Sequence, residues 1–170
     1  DFLANGETVT AVFTITVDDG NLGTATQDVT INITGANDAP VITINDVTGD
    51  ITEGTTLTDN GSIDFTDLDL TDLPTATEVT LSVNTNVVGG LTAAQQADIE
   101  NAFSISAAAG NANHGTSNWD YTITEGELDF LANGETVTAV FTITVDDGNL
   151  GTATQDVTIN ITGANDAPVI

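Results

Sequence analysis

The chain has 170 residues, with no Lys or Arg, 26 acidic residues and one His, so its formal net charge is −26 at pH 7. Without cations the chain cannot neutralise phosphates, which excludes nucleic-acid binding and docking on an anionic membrane surface. The absence of Cys excludes disulfides and thiol chemistry. No apolar run approaches the roughly 20 residues that insert across a bilayer, yet a 39% hydrophobic content in periodic runs indicates a folded chain.

The first predicted element is a β-hairpin over residues 1–36. Two runs of alternating apolar and polar residues flank an Asp-Asp-Gly turn, which is typical of antiparallel strands with one buried face. Residues 1–42 recur without change as residues 129–170. We therefore interpret the hairpin as the C-terminal part of a preceding identical repeat, and the chain as a window on a longer tandem array of domains.

A linker is predicted at residues 37–41. It contains Asn-Asp-Ala-Pro, and Pro fixes its own backbone and favours an extended residue before it, so the linker should be short and stiff. One complete β-sandwich repeat is predicted over residues 42–164. Residues 165–170 repeat the linker sequence and should start the next linker.

Within the complete repeat, period-2 alternation predicts an all-β fold. The predicted strands are residues 41–47, 62–66, 77–84, 119–124, 136–145 and 152–162. A helix is predicted at 92–103, capped by Thr92 and Gln95, with Ala94, Ala97 and Ile99 on its inner face. Residues 107–118 should be a loop, and a turn of helix is expected at 129–133. The result is an antiparallel β-sandwich with one short inserted helix.

The sharpest chemical feature is a run of carboxylates at the predicted end of a strand. Ca²⁺ takes six to eight oxygen ligands and tolerates irregular geometry, and this chain has no Lys or Arg to balance clustered acids. The run therefore favours a Ca²⁺ site, although solvated turn residues remain the alternative. The candidate oxygen donors are Asp64, Asp67, Asp69 and Asp72 in the run, Asp146 and Asp147 in the hairpin turn, and Asn37, Asp38, Asn165 and Asp166 in the linkers.

Catalytic motifs are weak. His114 has no Ser or Asp partner at a suitable spacing, and no nucleophile elbow or phosphate-binding loop is present. We therefore expect a protein that is not an enzyme. Trp119 and Tyr121 alternate on one strand and could form a sugar-binding platform, which requires an exposed Trp119. Two aromatic side chains in the core are the alternative.

Taken together, these segments resemble the VCBS repeats of giant bacterial RTX-type adhesins, which are cadherin-like or immunoglobulin-like sandwiches. The matching segments are residues 52–54, 65–72, 119–121, 128–135, 144–148 and 165–168. The resemblance implies Ca²⁺ as the cofactor, bound where repeats meet. At the first junction it implies the ligands Asn37, Asp38, Asp67, Asp69 and Asp146, with a contribution from Asp1. At the second it implies Glu53, Asp129, Asn165 and Asp166.

The resemblance also implies a function. It predicts a Ca²⁺-stabilised extender repeat of a large secreted adhesin, a rigid spacer in adhesion or biofilm formation at the bacterial cell surface. Its partners would be the neighbouring identical repeats of the same chain. The alternative is a subunit of an extracellular filament or surface layer. There, residues 1–36 of one chain would complete the sandwich of another by strand complementation.

Overall fold

The computed structural model describes residues 2–167, and its strands lie in three sheets. In chain order the elements are β1 (Thr8–Asp18), β2 (Thr24–Thr34), β3 (Val41–Asp46), β4 (Thr48–Thr52), β5 (Thr58–Thr66), β6 (Thr75–Thr85), α1 (Ala93–Asn101), β7 (Phe103–Ala107), β8 (His114–Thr122), α2 (Glu125–Leu128), β9 (Thr136–Asp146) and β10 (Thr152–Thr162). Strands β1 and β2 form a sheet of their own. The other eight form two four-stranded sheets, ordered β4-β10-β9-β6 and β3-β5-β8-β7.

The two four-stranded sheets pack as a sandwich. Every neighbouring pair is antiparallel except β4 with β10, which is parallel. The predicted fold class, a mainly antiparallel β-sandwich, is confirmed. Residues 2–167 contain the inserted helix α1 and a second short helix, α2, which lies at Glu125–Leu128 and not at the expected position 129–133. The second, α2, forms because the Glu127 carboxylate accepts hydrogen bonds from the backbone N–H and hydroxyl of Thr124, both at 2.8 Å.

The core lies between the sheets and is built by alternation along β9 and β10. Phe141 of β9 stacks on Phe103 of the opposite sheet, with ring centroids 4.1 Å apart. Trp119 is fully buried, and its indole N–H donates to the backbone carbonyl of Asp46 at 2.7 Å. Trp119 and Tyr121 therefore both belong to the core, and the alternative of a sugar-binding platform, which requires an exposed Trp119, is excluded. The fully buried side chains of these two strands are Val137, Ala139, Phe141, Ile143, Val145, Val157, Ile159 and Ile161.

The hairpin β1–β2 has the same sequence as β9–β10 and the same register. Thr8 pairs with Thr34, as Thr136 pairs with Thr162. Its apolar side chains, however, face no second sheet. Phe13 is 55% exposed, whereas Phe141, its identical counterpart, is 0% exposed.

The observed elements differ from the predicted ones mainly where the local sequence signal is weak. Strands β4 and β7 are short and lack clear alternation, and β8 begins at His114, inside the predicted loop 107–118. The capping box of Thr92 and Gln95 is confirmed at α1, but Ala94 and Ala97 are exposed and only Ile99 enters the core. No helix among residues 2–167 is long and apolar enough to span a membrane.

The chain enters the sandwich at one end and leaves it at the other. At the entry end, Val41 pairs with Thr66, and the Cα of Ala39 lies 2.9 Å from the position that a Cβ on Gly151 would take. At the exit end, Thr162 pairs with Thr52. Because β10 connects these ends, each end carries a different set of loops.

Candidate metal centres

An acidic cluster, the entry cluster, lies in the loop that follows β5. It consists of Asp67, Asp69 and Asp72, and one carboxylate oxygen from each lies within 4.8 Å of the others. All three side chains are buried. Three buried carboxylates repel one another, and the chain has no Lys or Arg to compensate them. This arrangement therefore requires a cation from solvent or bound protons.

The linker closes over the entry cluster. The Asn37 side-chain amide donates to the Asp147 carboxylate at 2.9 Å, and the backbone N–H of Asp38 donates to Asp69 Oδ2 at 2.9 Å. Within the loop, the backbone N–H of Asp69 donates to Asp67 Oδ1, also at 2.9 Å. These hydrogen bonds occupy Oδ1 of Asp67 and one oxygen of Asp69, whereas both oxygens of Asp147 are occupied, since its Oδ1 accepts the backbone N–H groups of Asn149 and Gly151.

Three side-chain oxygens of the linker and the entry cluster have no hydrogen-bond partner. They are Asn37 Oδ1, Asp67 Oδ2 and Asp69 Oδ1, and all are buried. A buried acceptor without a partner is unfavourable, so such atoms indicate a missing ligand. Carboxylate and amide oxygens are the donors that Ca²⁺ prefers. The residues of the entry cluster and linker therefore fit a Ca²⁺ ion.

The charges of the entry cluster also shift proton affinities. Burial raises the pKa of Asp67, and the nearby charges of Asp72, Asp69 and Asp147 add to the rise. Burial also opposes ionisation of Asp147, but hydrogen bonds from the Asn37 side chain and from the backbone of Asn149 and Gly151 outweigh it, so the pKa of Asp147 is lowered. Ionisation is therefore favoured at Asp147 and disfavoured at Asp67.

A second acidic group, the exit cluster, lies at the opposite end. Oxygens of Glu53, Glu125 and Asp129 lie within 4.8 Å of one another. The buried Glu53 accepts the backbone N–H of Ala164 at 2.6 Å through Oε2, while its Oε1 is buried without a partner. Burial raises the pKa of Glu53, and the charges of Asp166, Glu125 and Asp129 raise it further. The exit cluster therefore also fits a cation, although two of its three residues are exposed.

Most of the predicted ligands lie at these two ends. Asn37, Asp38, Asp67 and Asp69 lie together at the entry end. At the exit end, Glu53 and Asp129 lie in one cluster, and the charge of Asp166 is close enough to affect Glu53.

Two predicted ligands lie outside the clusters. Asp146 is exposed, and its carboxylate accepts the backbone N–H of Gly148 at 2.7 Å. Asn165 is exposed, and its side chain donates to the backbone carbonyl of Asp166 at 3.1 Å. Asp1 lies outside the described residues.

Three residues of these ends were not among the ligands that the family resemblance implies, although Asp72 and Asp147 were among the candidate oxygen donors. Asp147, rather than its neighbour Asp146, turns toward the linker, and Asp72 completes the entry cluster. Both belong to the acidic stretches that the sequence makes conspicuous. Glu125 gives no such signal, because its place beside Glu53 depends on a tertiary contact. Its carboxylate accepts the backbone N–H of Gly54, 71 residues earlier in the chain, at 3.0 Å.

Comparisons with known proteins give distant structural neighbours only. No protein-family model and no curated protein matches the sequence. Among solved structures, the ASH/PapD-like domain of human CEP192 is 11% identical, covers 77% of this chain and 89% of its own, and has a TM-score of 0.45. The cadherin-like domains 1 to 4 of zebrafish RET are 16% identical, with 93% of this chain and 34% of theirs covered, at a TM-score of 0.42.

Domains 4 and 5 of the S-layer protein SbsC are 14% identical, with 92% of this chain and 59% of theirs covered, at a TM-score of 0.31. The chain spans about a third of the cadherin structures that it matches. The structural neighbours therefore include cadherin-like and surface-layer domains, at TM-scores too low to carry an argument about function.

Proposed function

We propose that the chain is a Ca²⁺-stabilised extender of a large secreted adhesin, built from VCBS-type repeats and acting as a rigid, non-enzymatic spacer at the bacterial cell surface in adhesion or biofilm formation. The observation that carries this proposal is the entry cluster. It combines three buried carboxylates with buried, unpartnered oxygens on Asn37, Asp67 and Asp69. A simple solvated turn would leave such oxygens in water.

The position of the entry cluster supports a role between repeats. The preceding hairpin sits beside it, since the Phe2 carbonyl accepts the Leu70 backbone N–H at 3.4 Å and Glu7 accepts the Thr71 hydroxyl at 3.0 Å. The linker contacts the same cluster through the Asp38 backbone N–H, which donates to Asp69, while the Asn37 side chain donates to the neighbouring Asp147. Residues from the hairpin, the linker and the sandwich thus converge at one junction.

The residues of this junction could hold the hairpin and the sandwich in a fixed orientation. Asn37, Asp38 and the entry cluster fix the angle between the hairpin and the sandwich, but their negative charges repel. A Ca²⁺ ion bound there would supply the positive charge that the chain lacks and the partners that the buried oxygens need. We propose that the exit cluster meets the entry cluster of a following repeat in the same way, so that a tandem array becomes a stiff rod.

The test is thermal unfolding and small-angle scattering of the full chain in Ca²⁺ and after chelation. Binding to the folded state alone stabilises by about 2.7 kcal/mol when the free ion is at 100 times Kd. We expect a higher Tm and a longer, narrower particle with Ca²⁺. Equal Tm values and equal dimensions in both conditions would contradict the proposal.

A further inference from the structure

The dipeptide Asn-Gly occurs three times in this chain. Asn5-Gly6 and Asn133-Gly134 belong to the repeated sequence, whereas Asn60-Gly61 lies within β5. Asn is thermally labile in proteins, because its side-chain amide reacts with the backbone nitrogen of the next residue when the two groups meet. Glycine favours this reaction most, since it has no Cβ to obstruct the approach and its backbone rotates freely.

Asn133 lies in a tight turn between α2 and β9, and its side chain is exposed. The Glu135 backbone N–H donates to the Ala132 carbonyl at 2.9 Å, and Gly134 between them has a φ of 84°. The Gly134 N–H makes only a long hydrogen bond, 3.3 Å to the Gly163 carbonyl. A Cβ on Gly134 would meet no other atom within 4 Å, so the turn has room to rearrange.

The same turn is exposed in both copies, although the two copies have different neighbours. Asn133 has α2 and the rest of its own sandwich beside it. Asn5 lies beside the loop that follows β5, where Glu7 accepts the Thr71 hydroxyl at 3.0 Å. Asn5 is exposed there, and Gly6 has a φ of 79°. The turn therefore keeps its geometry and its contact with water in both surroundings.

The third Asn-Gly dipeptide is held by the core. Gly61 pairs with Trp119 across β5 and β8, and a Cβ on Gly61 would lie 2.6 Å from the indole ring. Movement of this backbone would disturb the packing of Trp119, which is fully buried. Opening a surface turn costs much less free energy than opening a core strand. The same dipeptide is therefore free to rearrange in the turns and is restrained at Asn60.

We propose that Asn133 and Asn5 are sites of covalent self-modification, at which asparagine is converted to aspartate and isoaspartate with water as the co-reactant. The Gly134 backbone nitrogen loses its proton to solvent and attacks Cγ of Asn133. The bond from Cγ to the side-chain nitrogen breaks, and this nitrogen takes a proton from water and leaves as ammonia. Water then opens the resulting five-membered succinimide at either carbonyl. One opening gives aspartate and the other gives isoaspartate, and no atom is oxidised or reduced.

Either product adds one negative charge to a chain whose formal net charge is already −26. Asn133 lines a cavity of about 260 Å³ together with Asp129 and Asp166, so the new carboxylate would lie among acidic side chains. Isoaspartate also lengthens the backbone of the turn by one methylene, next to Glu135, whose carbonyl accepts the Gly163 N–H at 2.9 Å. The modification is therefore a slow increase in acidity at the end of the sandwich, and it does not depend on Ca²⁺.

The experiment follows the full chain by mass spectrometry during incubation in mildly alkaline buffer, which favours loss of the amide proton. Each conversion replaces a side-chain NH₂ group by OH and raises the mass by one dalton. Cleavage after Glu separates the three sites, because it releases residues 1–7, 54–78 and 128–135. In the folded protein we expect conversion in the first and third peptides and none in the second. In denaturant all three peptides should convert.

The matched control is Asn133→Gln, which keeps the amide but would have to form a less favourable six-membered ring. It should abolish conversion in residues 128–135 and leave conversion in residues 1–7 unchanged. A folded protein in which Asn133 or Asn5 stays unmodified, while the denatured chain converts, would overturn the inference. Equal conversion at Asn60 and Asn133 in the folded protein would also overturn it, because the turn would then have no influence on the reaction.

Discussion

At the scale of single residues, the core depends on two glycines that leave room for Trp119. A Cβ on Gly61 would lie 2.6 Å from the Trp119 ring, and a Cβ on Gly49 would lie 3.2 Å from it. Gly61 pairs with Trp119 across β5 and β8, so the indole lies over the glycine backbone. A strand glycine weakens a strand in isolation, but here it allows the largest side chain of the core to be fully buried.

Gly61→Ala should therefore destabilise the protein by about 1–3 kcal/mol through overpacking. The measurement is chemical unfolding followed by Trp119 fluorescence. Gly126→Ala in α2 is the matched control, because a Cβ there meets only Asp129, at 4.0 Å. It should leave stability unchanged or slightly raise it. Equal effects of the two changes would contradict this account of Gly61.

Asp69 tests the entry cluster at the same scale. Asp69→Asn keeps an acceptor for the Asp38 backbone N–H but removes one of the clustered charges. We expect the variant to lose most of the Ca²⁺-dependent stabilisation, about 2.7 kcal/mol at 100 times Kd, and to be no less stable than the parent without Ca²⁺. Asp120→Asn removes the same charge from an exposed strand position and should keep the full Ca²⁺ response. The measurement is calorimetric unfolding of the parent, Asp69→Asn and Asp120→Asn, each with Ca²⁺ and after chelation.

At the scale of elements, comparison of the two hairpins shows which structural features depend on local sequence and which depend on tertiary packing. Their identical sequences give identical strands, registers and turns, so these features are encoded locally. Burial differs completely, with Ile31 47% exposed and Ile159 0% exposed. Stability that derives from burial should therefore differ between equal substitutions in the two hairpins.

Ile159→Ala should lower the free energy of unfolding by about 2–5 kcal/mol, because it leaves a cavity between the sheets. Ile31→Ala, the same substitution in the same local sequence, should change it by no more than about 0.5 kcal/mol. Urea unfolding of both variants provides the measurement. Similar losses would mean that β1–β2 is covered in solution.

The features that could be predicted from the sequence are those encoded locally, and the features that could not be predicted depend on tertiary contacts. Long strands with strict alternation, β9 and β10 above all, were predicted almost to the residue, and Thr92 and Gln95 identified the start of α1. Strand β4 was not predictable, because it depends on pairing with β10 some 110 residues later. The entry cluster was recognisable from Asp67 and Asp69. The choice of Asp147 over Asp146 depends on which side chain the turn directs toward Asn37, and the alternation pattern does not contain that information.

At the scale of the whole molecule, the excess of negative charge links stability to pH. The pKa values of Asp67 and Glu53 are higher in the folded protein than in the unfolded chain. At a pH between the ordinary and the raised pKa, the folded protein therefore binds more protons than the unfolded chain. The Ca²⁺-free protein should therefore become more stable as the pH falls from 7 toward the ordinary carboxyl pKa of about 4. Groups with lowered pKa values, such as Asp147 and Asp64, reverse the trend only at lower pH.

Melting curves of the chelated protein across this range measure the slope. A variant with both Asp67→Asn and Glu53→Gln should show a flatter dependence. With Ca²⁺ present the Ca²⁺-induced rise in Tm should shrink on acidification, since protons compete for the same oxygens. A Tm of the chelated protein that falls steadily as the pH is lowered from 7 toward about 4 would contradict the assignment of these two carboxylates.

The parallel pairing of β4 with β10 determines how the sandwich responds to tension. The chain enters at one end and leaves at the other. A pull on the entry linker acts on β4 through β3, and a pull on the exit linker acts on β10 in the opposite direction, so the two strands are pulled past each other along their axes. The register from Thr48 with Thr158 to Thr52 with Thr162 is then loaded in shear, and its hydrogen bonds must break together rather than one after another. Forced unfolding is governed by the unfolding rate. Because these hydrogen bonds are loaded in shear, the sandwich should unfold slowly when it is stretched between its two linkers.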